Sequence, residues 1–350
     1  MYECRIAGTG RYVPEKVLTN TDLEKIIETS DEWIIKRTGI RERRIAAEDQ
    51  STSDLALEAA RVALDRAGLA AEDLDAIILA TLTPDTYCPA GACYVQNLLG
   101  ATNACAFDLS AACTGFVYAI TVGSSLVRTG VHKNVLVLGA ETLSRFIDYT
   151  DRNTCILFGD GAGAAVLSRA EEGCDSRLLD HYLRSDGGGT DLIIMPGGGA
   201  RRPASHDTVD GKLHFLSMQG NDVFKFATKS MQTLIETAIE RNELSVDDLD
   251  LVVPHQVNSR IIDTVLRKVD IPKEKIYLNL QRYGNTSAAS VPMALHEAVE
   301  EGRVQPGNLV LLVAFGAGLT GVTTWFAGRR VSFPAAARRQ WQSNRYRNRI

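Results

Sequence analysis

Phe107-Asp108-Leu109-Ser110-Ala111-Ala112-Cys113-Thr114-Gly115-Phe116 is the stretch around which the rest of the chain is organised. The apolar run ending in Asp108 reads as a buried strand, and small residues then lead into an apolar helix predicted over 113–128. A cysteine at that junction meets the unpaired N–H groups and the positive end of a helix, both of which favour a thiolate. Cysteine is equally a common small core residue. What separates a nucleophile from packing must come from elsewhere in the chain.

With 350 residues and 45% hydrophobic content, the chain can bury a large core, as two domains or one duplicated one. A net charge of −5 carries no strong nucleic-acid or membrane signature. No stretch approaches the roughly 20 uninterrupted apolar residues of a membrane span, and the first residues lack the pattern of a secretory signal. The seven cysteines are scattered, with neither CxxC pairs nor Cys/His ligand spacing. A cytoplasmic, reduced protein without a metal or cofactor is expected.

Two sets of elements repeat. Apolar residues recur at helical spacing over 53–67, followed by Glu72-Asp73-Leu74-Asp75 and the buried run Ala76-Ile77-Ile78-Leu79-Ala80. The same order returns as a helix over 229–239, then Asp247-Asp248-Leu249-Asp250, then Leu251-Val252-Val253. Asn134-Val135-Leu136-Val137-Leu138-Gly139 finds its counterpart in Asn308-Leu309-Val310-Leu311-Leu312-Val313, and Asp108-Leu109-Ser110 before Cys113 is echoed by Asn279-Leu280-Gln281 before Asn285. Two copies of a strand–helix unit of about 170 residues indicate duplication and a pseudo-twofold architecture. Fully apolar strands alternating with helices predict sheets covered on both faces. A five-layered αβαβα stack accommodates them, with inner helices starting near Cys113 and Ser287. The halves are expected at 1–172 and 173–330, with a basic tail at 331–350.

Between these units lie less regular segments. The glycine-rich Phe158-Gly159-Asp160-Gly161-Ala162-Gly163 lacks the following helix of a dinucleotide loop, so tight strand packing is expected. Residues 185–212, rich in glycine, read as a surface excursion. Arg37-Thr38-Gly39-Ile40-Arg41-Glu42-Arg43-Arg44 reads either as a solvated basic loop or, with Trp33, as a surface for a flat phosphorylated ligand.

Three places carry complementary chemistry. Cys113 opens the first inner helix, His255 ends the strand that repeats Ile77–Leu79, and Gly284-Asn285 turns into the second inner helix. A cysteine sulfur can accept an acyl group, while a histidine and an asparagine can donate to a developing oxyanion. No carboxylate stands beside the histidine in sequence, so the set suits an enolate better than hydrolysis. A carrier-binding scaffold without turnover would have no use for it.

With these residues in hand the chain resembles the thiolase superfamily, and within it the β-ketoacyl-acyl carrier protein synthase III family. The resemblance runs from residue 1 to about 328. It rests on Asp31-Glu32-Trp33-Ile34 with Arg37-Thr38-Gly39-Ile40, Ala111-Ala112-Cys113-Thr114-Gly115-Phe116, Phe158-Gly159-Asp160-Gly161-Ala162-Gly163, Pro254-His255-Gln256-Val257-Asn258 and Tyr283-Gly284-Asn285-Thr286-Ser287. It implies a thiolase-like fold and a decarboxylative condensation of an acyl-CoA with malonyl-acyl carrier protein, initiating fatty-acid synthesis, in a homodimer. A related acyltransferase with another acceptor is the alternative.

The resemblance also assigns roles. Cys113 would carry the acyl group, with the N–H groups of Cys113 and Ala317 as oxyanion hole, and His255 and Asn285 would hold the enolate. Phe315 would disfavour the malonyl carboxylate. Trp33, Arg37, Arg152, Asn221 and Asn258 would contact CoA. Lys225, Gln256, Arg260, Arg267 and Lys268 would meet the acidic carrier protein. Two positions depart from the family's pattern: Cys88 stands before Pro89, where relatives with a short acyl pocket often carry an aromatic, and Gly321 stands where a tryptophan is usual.

Overall fold

Alternation along the buried strands sorts the molecule into layers. A computed structural model describes residues 1–171, 173–174 and 176–327; the tail at 331–350 lies outside them. Strands β1 (Cys4–Tyr12), β2 (Ala76–Ala80), β3 (Cys105–Leu109), β4 (Asn134–Glu141) and β5 (Gly161–Arg169) form one sheet in the order β1-β5-β4-β2-β3. Strands β6 (Arg177–Ser185), β7 (Leu251–Pro254), β8 (Leu309–Gly316) and β9 (Thr320–Ala327) form a second, in the order β7-β8-β9-β6. In the two sheets the equivalent pairs β2 with β4 and β7 with β8 run parallel, as does the edge pair β2 with β3, while β1 with β5, β5 with β4, β8 with β9 and β9 with β6 run antiparallel. A fifth strand in the second sheet shrinks to one bridge, Val252 with Ile276. The fold is thiolase-like.

Among the described residues, seven α-helices of eight residues or more clothe these sheets: α1 (Asp31–Thr38), α2 (Thr52–Ala67), α3 (Gly91–Leu99), α4 (Gly115–Thr129), α5 (Gly220–Arg241), α6 (Ser259–Val269) and α7 (Ser290–Glu300). Successive strand residues point to opposite faces. Ile77, Leu79, Leu136 and Leu138 therefore pack outward with Leu55 and Ala59 of α2. Their neighbours Ile78, Ala80, Val135 and Val137 pack inward with Phe116 and Ile120 of α4 and Val291 and Leu295 of α7. From the other side Val253, Val310 and Leu312 close the same central layer. Val252, Leu311 and Val313 face Met231 and Ile235 of α5 and Ile261 and Val265 of α6. The result is the five-layered stack with α4 and α7 at its centre.

The two inner helices begin alike. Short 3₁₀ turns, Ala112–Thr114 and Ser287–Ala289, precede them. Ala112 and Ser287 at their starts both take a φ of 47°, the left-handed region. Non-glycine residues there store on the order of 1–3 kcal/mol of strain. Matching strain in both halves is a physical trace of the duplication.

Three expectations need correction. β3 is not buried within the chain: it ends the sheet, and Cys105 and Phe107 are exposed, Phe107 by 36%. The segment 185–212 is not purely a surface excursion, because Ile193–Ile194 pairs with Ser217–Met218 and Ile193, Ile194 and Met195 wall the central cavity. Arg43 is fully buried, donating to Asn20 Oδ1 at 2.9 Å and to the carbonyls of Leu18 and Ile156. It ties the basic segment into the fold.

Candidate active site

Cys113 lies in the 3₁₀ turn where β3 passes towards α4, and the end of β8 closes over it. A Cβ on Gly316 would stand 3.0 Å from the Cys113 nitrogen, closer than ordinary van der Waals contact, so the glycine eases this approach. Among the described residues, neither the Cys113 nor the Ala317 N–H donates to a backbone carbonyl. Both remain available to an oxyanion. Burial pushes the Cys113 thiol up to about 12. Desolvation by the surrounding side chains thus opposes the pull of the helix end on a thiolate. In the free protein Cys113 is a thiol and must lose its proton to react.

His255 follows β7, its backbone N–H donating to Val313 O at 2.8 Å. It is 1% exposed, and burial pushes its imidazole down to about 3, so the ring is neutral. Ser290 Oγ lies 2.6 Å from His255 Nδ1. With the serine as donor, the ring proton sits on Nε2, leaving a neutral N–H donor for the cavity. Phe315 meets the imidazole edge-on with ring centres 5.6 Å apart.

Asn285 is held by the glycine-rich segment. Its N–H donates to Leu157 O at 2.8 Å, its carbonyl accepts from Gly159 N at 3.1 Å, and it bridges Phe158. Gly284 reaches this position with φ of 65°, and a Cβ there would meet Leu157 O at 2.6 Å. Asn285 Oδ1 accepts from Ser287 N at 2.8 Å, which leaves its NH₂ group as the free donor.

Cys113, His255, Asn285 and Phe315 line one cavity of about 1080 Å³, mouth included, whose other walls are largely aliphatic, among them Leu82, Leu143 and Leu157. An electrophile bound to Cys113 here is shielded from water and met by neutral donors. Among the described residues no cluster of His, Cys, Asp and Glu could hold a metal ion, and no helix is long and apolar enough to cross a membrane.

Of the remaining site residues, the Arg37 and Arg152 guanidiniums lie 4.9 and 4.8 Å from the Trp33 ring centre. Asn258 reaches the cavity wall, but its side chain caps α6 by accepting from Arg260 N and donates to Arg37 O at 3.1 Å. Asn221 is exposed beside the lining residues Gly220 and Val223. Lys225, Arg260, Arg267 and Lys268 are exposed, with Arg260 over the Phe224 ring. Gln256 is not. It is 1% exposed, donates to Pro254 O and Tyr277 O, and accepts from Asn279 N and Leu280 N. A partner protein cannot touch it, and its work is to brace the loop leading to Asn285. The sequence alone gives no chemical role to Ser290, Ser287 or Glu141. Glu141 does carry a visible signal, as the one charged residue ending an otherwise apolar strand.

The fold is that of the condensing acyltransferases. Family models for 3-oxoacyl-[acyl-carrier-protein] synthase III and for its C-terminal part match residues 107–187 and 239–326, segments containing Cys113, His255, Asn285 and Phe315. The β-ketoacyl-[acyl-carrier-protein] synthase III of Caldanaerobacter subterraneus subsp. tengcongensis is 54% identical over 90% of this chain and 95% of its own. That of Natranaerobius thermophilus is 51% identical over 91% and 98%. The crystal structure of 3-oxoacyl-[acyl-carrier-protein] synthase III from Aquifex aeolicus VF5 superposes with a TM-score of 0.85 at 46% identity, covering 93% of this chain and 99% of that one. The chain belongs to the β-ketoacyl-acyl carrier protein synthase III family and is an acyltransferase.

Proposed function

We propose that the protein joins an acyl-CoA starter to malonyl-acyl carrier protein with loss of CO₂, giving a 3-oxoacyl-acyl carrier protein and initiating fatty-acid synthesis. The observation that carries this reading is the convergence of Cys113, His255 and Asn285 on one apolar cavity. Cys113 sulfur, giving up its proton, attacks the thioester carbonyl, the oxyanion is held by the Cys113 and Ala317 N–H groups, and the CoA sulfur leaves with the electron pair of the broken C–S bond and takes up a proton to depart as the CoA thiol. Malonyl thioester then enters. Its C–CO₂⁻ bond breaks, the electron pair moves to an enolate whose oxygen accepts from His255 Nε2–H and Asn285 NH₂, and the carbanion carbon attacks the acyl-cysteine. A neutral histidine fits this role, because the enolate oxygen calls for a hydrogen-bond donor and not for a base. Phe315 beside His255 makes the site poor at solvating the malonyl carboxylate, which favours its loss as CO₂. A transfer to another acceptor would leave the Asn285 donor without an enolate to hold.

Intact-mass spectrometry after a panel of acyl-CoAs tests the reading. One acyl group should appear on Cys113 and be discharged by malonyl-acyl carrier protein; an acylated protein that malonyl-acyl carrier protein never discharges overturns it.

Trp33 between Arg37 and Arg152 suits an adenine ring with phosphates nearby. Asn258, which lines the cavity and donates to Arg37 O, and Asn221, next in the chain to the lining residue Gly220, are the amides offered to the rest of the same ligand. Trp33→Ala should raise the KM for acyl-CoA about fivefold with kcat nearly unchanged, the loss of a stacking contact of about 1 kcal/mol. A fall in kcat alone would remove Trp33 from the CoA site. Lys225, Arg260, Arg267 and Lys268 form the exposed basic face offered to an acidic carrier protein.

A second copy of the chain is the partner best suited to the sheet edge. β3 leaves its backbone unpaired on one side, Phe107 is 36% exposed, and Leu98 and Tyr94 on α3 add 46% and 36% exposed apolar surface. Light scattering at micromolar concentration should return twice the mass of the chain; a monomer there excludes the dimer. Within each protomer we take the halves as 1–172 and 173–330, on either side of the passage from β5 to β6. The seven free cysteines suit a cytoplasmic, reducing setting, which fractionation of the source cells would test.

A further inference from the structure

With His255 and Asn285 read as the donors to the enolate, on which this step rests, we propose that Glu297 is a positioning residue for condensation. From the second inner helix it clasps the turn that delivers Asn285, and so sets where the Asn285 amide meets the enolate oxygen.

Glu297 lies in α7, does not line the cavity, and is only 3% exposed. A buried carboxylate persists where donors surround it. Its Oε1 accepts from Tyr283 OH at 2.6 Å and lies 3.4 Å from Arg11 Nη2. Its Oε2 accepts from Asn279 Nδ2 and Arg282 Nη2, both at 2.8 Å, with Tyr277 OH at 3.5 Å. Arg11 reaches in from β1. The other four partners all belong to residues 277–283, immediately before Gly284-Asn285.

That stretch needs an outside anchor. Its one helical turn, Leu280–Tyr283, is too short to hold itself. Gln256 Oε1 secures its entry by accepting from Asn279 N and Leu280 N. Its exit is Gly284, at a φ of 65°, where the backbone is at its most permissive. The bonds of the Asn285 backbone to Leu157 and Gly159 fix the far side of that hinge. The near side is the turn that Glu297 grips.

One helix thereby serves both donors. Ser290, at the start of α7, lies 2.6 Å from His255 Nδ1. Glu297 stands seven residues further on, two turns along and on the same face. The Nε2–H of His255 and the NH₂ of Asn285 must converge on one oxygen, and α7 is the common reference for both. A displacement of about 1 Å in such a pair can cost on the order of 10²-fold in rate. None of these Glu297 partners belongs to the Cys113 turn or the end of β8, so acylation does not depend on the clasp.

The test compares acylation of Cys113 by acyl-CoA with ¹⁴CO₂ release from malonyl-acyl carrier protein. The proteins are the parent, Glu297→Ala, Asn285→Ala and the double variant, each confirmed folded by circular dichroism. Glu297→Ala should be acylated within about twofold of the parent and release CO₂ on the order of tenfold more slowly. In the Asn285→Ala background the same substitution should cost less than about twofold, because a residue acting through the Asn285 amide then has nothing left to position. Should Glu297→Ala fail to fold, Asn279→Ala combined with Tyr283→Phe cuts two ties and leaves both arginines on the carboxylate. It should show the same split and the same non-additivity. CO₂ release at the parent rate, a matching fall in acylation, or a loss that persists in full without the Asn285 amide overturns the positioning role. A parent that is acylated yet releases no CO₂, or an Asn285→Ala protein that releases it at the parent rate, overturns the reading of Asn285 itself.

Discussion

Cys113→Ala protein should leave an acyl-CoA incubation at its unmodified mass, and its condensation rate should fall by at least about 10³-fold. The expectation follows from where the sulfur sits. The Cys113 turn is pressed between the start of α4 and the end of β8, with its own N–H and that of Ala317 unspent. A carbonyl placed against Sγ meets both donors at once, whereas an alanine leaves donors without a nucleophile. Water is a poor substitute in a largely aliphatic cavity. Cys88, Cys93 and Cys105 are exposed and provide an internal control. Any label they pick up would not be discharged by malonyl-acyl carrier protein. Discharge of an acyl group from Cys113→Ala protein would mean that the nucleophile lies elsewhere.

Substitution by alanine also separates chemistry from packing. Ala112 and Cys113 belong to a strained turn whose backbone, not its side chains, does the fitting. The loss of one sulfur should therefore cost little stability, and an inactive variant should melt close to the parent. A large drop in melting temperature would move Cys113 back among the core cysteines.

Much of this was legible in the chain because burial on two faces leaves a plain mark. Runs such as Ala76–Ala80 and Leu251–Pro254 are apolar without alternation, and only a strand covered on both sides needs that. The repeat of strand and helix order then fixed which helices lie at the centre, and with them the places of Cys113 and Asn285. What stayed hidden depends on contacts between distant segments. Phe107 reads as core because sequence cannot tell a strand covered by its own chain from one left at an edge. Gln256 stands beside His255, yet the chain turns it inward to satisfy four backbone groups around Asn279. Ser290 is thirty-five residues from the histidine it orients, a distance closed only by stacking β7 on α7. Arg43 looks like surface charge until the carbonyls of Leu18 and Ile156 are seen to surround it.

Asn285→Ala should divide the reaction in two. Acylation of Cys113 should proceed within about twofold of the parent, because the oxyanion formed in that step is held by backbone N–H groups that Asn285 does not touch. Release of CO₂ from malonyl-acyl carrier protein should fall by about 10²–10³-fold, the usual cost of one lost oxyanion donor. The geometry sharpens this. Asn285 Oδ1 is occupied by Ser287 N, so the side chain cannot swivel, and its NH₂ is aimed by a bond that belongs to the second inner helix. The backbone of residue 285 is held separately, by Leu157 and Gly159, and survives the substitution. What disappears is one donor, together with the acceptor that Ser287 N had used. His255 keeps its own tie to Ser290 and still offers Nε2–H, so a residual rate should persist rather than vanish. Stopped incubations would show the variant accumulating as acyl-enzyme, with ¹⁴CO₂ from labelled malonyl thioester appearing slowly. If acylation fell as far as decarboxylation, Asn285 would instead be shaping the cavity that Cys113 needs. The division of labour between the two halves of the molecule, one carrying the acyl group and the other the enolate, would then be lost.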